Sequence, residues 1–182
     1  MEEEKAMMRV RVPIAWPLAG YGHLAHHEAG HLVVARCLGM ATGNAIVRGS
    51  VGFAAVGMGT RAPAPVQADT VLKDQPDGLV CAMLEASYPA HWPGKTKHQA
   101  GIDYATMLTA GRQAELIEAD CTLSPDEYLH IRDSDHKQAL ELLTHLNCSR
   151  HSLGYCQHRA RRLLLDHWEQ VKTIAASLKE PA

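Results

Sequence analysis

Residues 27–31 read His27-Glu28-Ala29-Gly30-His31, two imidazoles four positions apart with a carboxylate directly after the first. On an α-helix, positions i and i+4 share a face one turn apart, so both rings can offer a nitrogen to a single metal ion. The donor types suit zinc. Glu28 then falls beside the coordination position that a catalytic zinc leaves open, where a carboxylate can take a proton from a water whose pKa the ion lowers to about 7. This spacing therefore points to zinc-assisted hydrolysis of the metallopeptidase kind, with one ion per chain.

Such chemistry needs a helix beneath it. Residues 24–38 contain no proline, run through Leu32, Val33, Val34 and Ala35, and are followed by Gly39 as a C-terminal stop. Ala29 and Gly30 are small enough to let a neighbouring helix approach closely, although Gly30 costs about 1 kcal/mol of helix propensity. A five-residue match among 12 histidines can also arise by chance, and the alternative is an ordinary histidine-bearing helix; the helical context favours the metal. A catalytic zinc takes three protein ligands. Glu85 and Glu115 are weak candidates for the third. Asp135 is better placed, at the head of a helical segment where the dipole favours an acid. N-capping by Asp133 and Asp135 explains the same residues equally well.

At 182 residues the chain has length for one well-filled core. A formal charge of -2 and the lack of a long basic run give no reason to expect nucleic acid as a partner. Arg159, Arg161 and Arg162 cluster in a pattern that predicts a solvated helix face. The five cysteines, Cys37, Cys81, Cys121, Cys148 and Cys156, are odd in number and form no C-x-x-C pair, which argues against a disulfide framework and for a reducing, cytoplasmic setting. The acidic start, Met1-Glu2-Glu3-Glu4-Lys5, precedes no signal-type apolar core, and no stretch reaches the roughly 18 apolar residues of a membrane helix.

Residues 1–20 read as an N-terminal extension, with Pro13 and Pro17 forbidding a helix and Val10, Val12 and Ile14 allowing at best a short edge strand. Residues 44–48 and 51–58, joined through Gly49-Ser50, predict a β-hairpin. An extended peptide can add to such an edge through main-chain hydrogen bonds. A helix is expected over residues 70–87, interrupted by Pro76 and Gly78, then a loop with His91, Trp92 and His98. Trp92 fits either a substrate pocket or, more commonly for an aromatic, the core. Helices follow over residues 102–119, from Ser124-Pro125 onward, over 133–147, and as one long element over 152–178 with an apolar stripe of Leu163, Leu164, Trp168, Val171, Ile174, Ala175 and Leu178. The fold class is α+β, mainly α: a zinc-helix domain over residues 21–182 with a small β-hairpin and a C-terminal helical bundle.

Four segments in order resemble the protease domain of the FtsH-type AAA+ zinc metalloproteases. His27-Glu28-Ala29-Gly30-His31 matches that family's zinc motif letter for letter. Ile46-Val47-Arg48-Gly49 with Gly52-Phe53 is similar to its substrate-flanking strand, Ala110-Gly111-Arg112-Gln113-Ala114-Glu115 to its G-G-R-x-A-E helix, and Ser134-Asp135 followed by Ala139 to the segment that supplies its third ligand. The tail, residues 160–178, is similar to the family's last helix. The resemblance implies zinc held by His27, His31 and Asp135, Glu28 as general base, and Glu115 as a carboxylate orienting a ligand histidine. Asp133 and His136 are neighbours that could be mistaken for the ligand.

The departures restrict what carries over. No G-x-x-x-x-G-K-[ST] phosphate loop occurs, and no membrane segment precedes the domain, so the implied activity is ATP-independent peptide-bond hydrolysis on a polypeptide substrate, alone or with a separate ATPase or adaptor. Residues 63–96 fit the family poorly and transfer no specificity, and assembly into an oligomer is possible. Two alternatives share the motif: a small regulatory metalloprotease that cleaves a repressor, and a catalytically silent metal-binding adaptor, which a fourth protein ligand such as His136 or a cysteine would favour.

Overall fold

The computed structural model describes residues 21–49, 51–65, 77–120, 134–149 and 151–178. The expectations for residues 1–20 and for a helix starting at Ser124 lie outside them. Helix α1, Tyr21–Cys37, ends in the stop that Gly39 predicts: Gly39 takes φ +78°, its N–H bonds the Arg36 carbonyl at 3.0 Å, and the Met40 N–H bonds that of Ala35 at 2.9 Å. These two bonds form a Schellman cap around a residue that glycine accommodates without strain. Almost every residue from Ala25 to Ala35 is buried, so α1 is a central helix surrounded on all sides.

The hairpin follows as strands β1, Thr42–Arg48, and β2, Val51–Val56, paired antiparallel with Ile46 opposite Phe53, Val47 opposite Gly52 and Arg48 opposite Val51. Gly49 at φ +54° supplies the left-handed residue that a two-residue hairpin loop demands. The register slips between Thr42 and Ala45. Among the described residues these are the two strands of the sheet, and β2 packs beside α1.

Helix α2 spans Leu79–Ser87 and begins directly after Gly78, the expected interruption, which adopts φ 77°; the part of the expected helix before residue 77 lies outside the described residues. Trp92 takes the core option: it is 2% exposed, and its indole N–H donates to Ser87 Oγ at 3.1 Å. Helix α3, Lys97–Glu118, begins five residues before the expected 102. Thr96 and Gln99 form a reciprocal capping box there, Gln99 N–H to Thr96 Oγ1 at 3.2 Å and Thr96 N–H to Gln99 Oε1 at 2.8 Å, which satisfies donors that an earlier start would otherwise leave open.

Helix α4 spans Ser134–His145. The long terminal helix predicted over 152–178 is two helices, α5, His151–Asp166, and α6, Trp168–Leu178, separated at His167. The break lets each half meet a different neighbour: α5 packs on α3, whereas α6 packs on α1, where Trp168 stacks on His26 with ring centroids 5.7 Å apart. Arg159 does not belong to a solvated face. It reaches Asp103 Oδ1 at 2.5 Å, while Lys95 Nζ bonds the other oxygen of Asp103 at 2.6 Å and the Leu38 carbonyl at 2.7 Å. Asp103 is buried, and so this three-residue ion cluster ties α3 to α5 and to the end of α1.

The α1–α3 crossing is the tightest contact near the motif. A Cβ built on Gly30 would stand 2.8 Å from Ala114 Cβ and 2.9 Å from the Ala110 carbonyl oxygen, whereas one on Gly154 of α5 would meet nothing within 4 Å. Gly30→Ala should therefore destabilise the protein by about 1–3 kcal/mol through overpacking, while Gly154→Ala should stabilise it by roughly 0.5–1 kcal/mol through helix propensity. Urea denaturation of the two variants against wild type checks the opposite signs.

Candidate metal centre

His27 and His31 project from α1 toward α3 and α4, where Asp135 occupies the first turn of α4. Their rings lie 4.8 Å apart at 71°. Nε2 of each ring stands 3.1 Å from the same oxygen, Asp135 Oδ2, and the donor atoms of the three residues all lie within 4.8 Å of one another. Ligands on a tetrahedral zinc with bonds of about 2.0–2.2 Å stand roughly 3.3–3.5 Å apart, so small adjustments suffice to seat an ion.

The far side of each ring decides what the near side can do. His27 Nδ1 lies 2.9 Å from Glu115 Oε1, and His31 Nδ1 lies 2.9 Å from the Met107 carbonyl oxygen. Both partners only accept, so both Nδ1 atoms carry the proton and donate it. Each Nε2 of a neutral ring then presents a lone pair toward a carboxylate oxygen. Three lone-pair donors converging in a buried place require positive charge between them, supplied either by protons on both rings or by one cation. The donor set therefore fits a divalent ion such as zinc, with Glu115 and the Met107 carbonyl fixing tautomer and ring orientation as outer partners do at metal sites.

Glu115 is itself held by the Arg112 guanidinium. Gly111 makes room for the arrangement, since any Cβ there would collide with the His27 ring. Glu28 is buried with its carboxylate against β2: a Cβ on Gly52 would lie 2.5 Å from Glu28 Oε1. A glycine at 52 is thus what lets the hairpin close over this acid.

The electrostatics follow from burial and these contacts. Desolvation alone would raise the Asp135 carboxyl, but its bonds to His27 and His31 prevail and hold it far below the usual carboxylate range. Burial by itself would lower both imidazoles; Asp135 prevails at each, helped at His27 by Glu115 and Glu28, and both rings end above the ordinary histidine value. The Glu28 carboxyl is raised, chiefly by burial, against the opposing pull of His27 and His31.

The sequence-predicted residues do not all gather here. His27, His31, Asp135, Glu28 and Glu115 do. Glu85 does not: it is exposed on α2, paired with Lys97 at 2.7 Å and His145 at 2.9 Å. His136 is buried and turned to Gln157, 3.0 Å from its amide nitrogen. Among the described residues no histidine or cysteine joins the three as a fourth ligand; Asp133 and Cys121 lie outside them. The Met107 carbonyl and the space left by Gly111 were not read from the sequence, because a main-chain acceptor has no residue-type signature and a helical glycine signals only some close approach. No protein-family model, no curated protein and no solved structure matches this chain.

The sign of pH dependence separates the metal-free from the loaded protein. In the metal-free chain the raised histidines contribute stability that is complete below their ordinary value of 6.5 and lost as pH rises through their higher folded values. Burying a charged Glu28 acts in the same direction, while the lowered Asp135 contributes throughout the range above its ordinary 3.8. With EDTA present, Tm should fall from about pH 6 to pH 9. With saturating zinc the slope should reverse over the lower part of that range, because the ion competes with the same protons. Parallel Tm profiles with and without zinc would refute the assignment.

Proposed function

We propose that this chain is a zinc-dependent endopeptidase of the kind that the FtsH-type resemblance implies, hydrolysing polypeptide substrates without ATP of its own. The observation that carries the reading is the convergence of His27 Nε2, His31 Nε2 and Asp135 Oδ2, with both Nδ1 atoms already committed and a buried carboxylate one residue from the first ligand. The ion would supply Lewis acidity, polarising a carbonyl and making water a competent nucleophile near neutral pH.

The chain's own residues do the rest. Glu28 accepts the proton of the attacking water as its oxygen bonds to the carbonyl carbon, and returns a proton to the amine nitrogen as the C–N bond breaks. Its raised pKa, due chiefly to burial, suits both halves of that exchange, since a base that holds a proton more firmly than an ordinary carboxylate can also deliver it. Glu115 and Arg112 hold the His27 ring in place. The outer edge of β2 carries no third strand among the described residues, and Gly52 brings that strand against Glu28. An extended peptide laid along the edge by main-chain hydrogen bonds would pass the general base. No described helix is long and apolar enough to cross a membrane. Recruitment by a separate ATPase or an adaptor is compatible with this reading.

Elemental analysis together with casein cleavage tests it. Wild type should hold one zinc per chain and cleave casein. Glu28→Gln should keep the zinc and lose cleavage by about 10²–10⁴-fold, and Asp135→Ala should lose zinc. Equal cleavage by Glu28→Gln would end the mechanism. Full zinc occupancy with no cleavage by wild type would favour the silent metal-binding adaptor.

A further inference from the structure

The glycine inside β2 does not serve its own backbone. Among the described glycines the left-handed ones are Gly39, Gly49, Gly59, Gly78 and Gly94, whereas Gly52 holds ordinary strand backbone, paired with Val47 across the ladder. Glycine weakens a strand, and in a strand interior it marks a place where something else comes close. Val51 and Phe53 on either side are residue types that strands prefer, so position 52 is the exception in its own element.

What comes close is a single side chain. A Cβ built on Gly52 would stand 2.5 Å from Glu28 Oε1, 2.8 Å from its Cγ and 3.0 Å from its Cδ, and these are the three nearest atoms it would meet. The carboxyl end of Glu28 therefore fills the volume in which residue 52 would otherwise carry a side chain. Glu28 is 5% exposed on α1, one position from His27, and has little room elsewhere. The atoms in the way are the far end of a flexible side chain, so a methyl group at 52 is accommodated by the acid turning aside more readily than by strand or helix moving. Gly30 differs, since a Cβ there meets the main-chain carbonyl of Ala110, which cannot turn aside.

We infer that Gly52 is the positioning residue of the general base: the missing side chain at 52 fixes where the Glu28 carboxylate lies, and a larger residue there displaces it. This rests on the endopeptidase reading and adds to it a residue that acts through Glu28 alone. Gly52 exchanges no proton and forms no bond, and the water proton still passes to Glu28 and on to the amine. A misplacement of about 1 Å costs about 100-fold in rate. Substrate laid along the β2 edge is held by main-chain groups that an alanine retains, so the substitution lowers kcat and spares KM.

Gly52→Ala tests this on the full chain with two independent readouts. On casein, the variant should lose kcat by about 100-fold with KM within about twofold, and its zinc affinity by chelator competition should match wild type. With EDTA present, Gly52→Ala should lower Tm by about 2–4 °C in the otherwise wild-type chain. In a Glu28→Ala background, where Cγ, Cδ and Oε1 are gone, the same substitution should leave Tm unchanged or raise it, because only the weakness of glycine in a strand remains. Wild-type kcat in Gly52→Ala overturns the inference and leaves the peptidase reading standing. An equal fall in Tm in both backgrounds also overturns it, since residue 52 would then meet something other than the acid, and so does a loss of zinc affinity as large as the loss of activity. Failure of wild type to cleave casein in a Glu28-dependent way overturns both the reading and this inference, whatever the Tm comparison gives.

Discussion

The close approach of α1 to α3 at Gly30 is the contact on which the site depends. Backbone meets backbone there, with Ala110 and Ala114 across from a residue that has no side chain. That approach places the Met107 carbonyl and Glu115 within 2.9 Å of the two Nδ1 atoms. Those bonds in turn decide which nitrogen of each ring is left to bind. Separating the helices by the width of a methyl group would lengthen both bonds together, since both acceptors ride on α3. The sequence gives up about 1 kcal/mol of helix propensity at Gly30 to permit this, and Gly111 repeats the device one turn along, beneath the His27 ring.

Burial gives the arrangement its electrostatic force. Because α1 is enclosed on all sides, Glu28 and His31 sit where unpaired charge is expensive. Around the ligand rings the polar groups are paired: Glu115 with Arg112 and His27, His31 with the Met107 carbonyl, and Asp135 with both rings. At the opposite end of the crossing, Lys95, Asp103 and Arg159 serve the same packing with a different chemistry. Lys95 bonds the Leu38 carbonyl just past the end of α1 and also Asp103 of α3, so one ammonium group ties the end of α1 to α3. With its partners about 30% exposed, this cluster is worth less than a fully buried triad, and its effect is on where the helices sit.

What the sequence disclosed, and what it withheld, divides along local and long-range lines. The motif helix with its glycine stop, the hairpin with its loop at Gly49 and the α4 segment are set by residues adjacent in the chain, and each was legible. The start of α3 was legible too, since Thr96 and Gln99 stand at capping-box spacing, but the apolar pattern from Ile102 drew the boundary inward. The break at His167 carries no proline or glycine to announce it. Its cause is tertiary: one half of the stretch packs on α3 and the other on α1. Arg159 read as a surface charge because its partner, Asp103, is 56 residues away. At the site, residue types with strong chemistry were found, whereas a main-chain acceptor and an absent side chain were not.

Asp135 shows that the capping and ligand interpretations of one residue need not compete. It occupies the first turn of α4, where the helix dipole favours a carboxylate, and its carboxylate nevertheless bonds the histidines of α1, more than 100 positions earlier. The dipole helps keep the group ionised, which is the state a cation or two imidazolium rings require. A site whose ligands come from helices so distant in sequence forms only when α4 is docked against α1 and α3. Part of any metal-binding free energy must then appear as stability of that docking, so the ion that the lone pairs call for would also fasten the helix that completes its own ligand set.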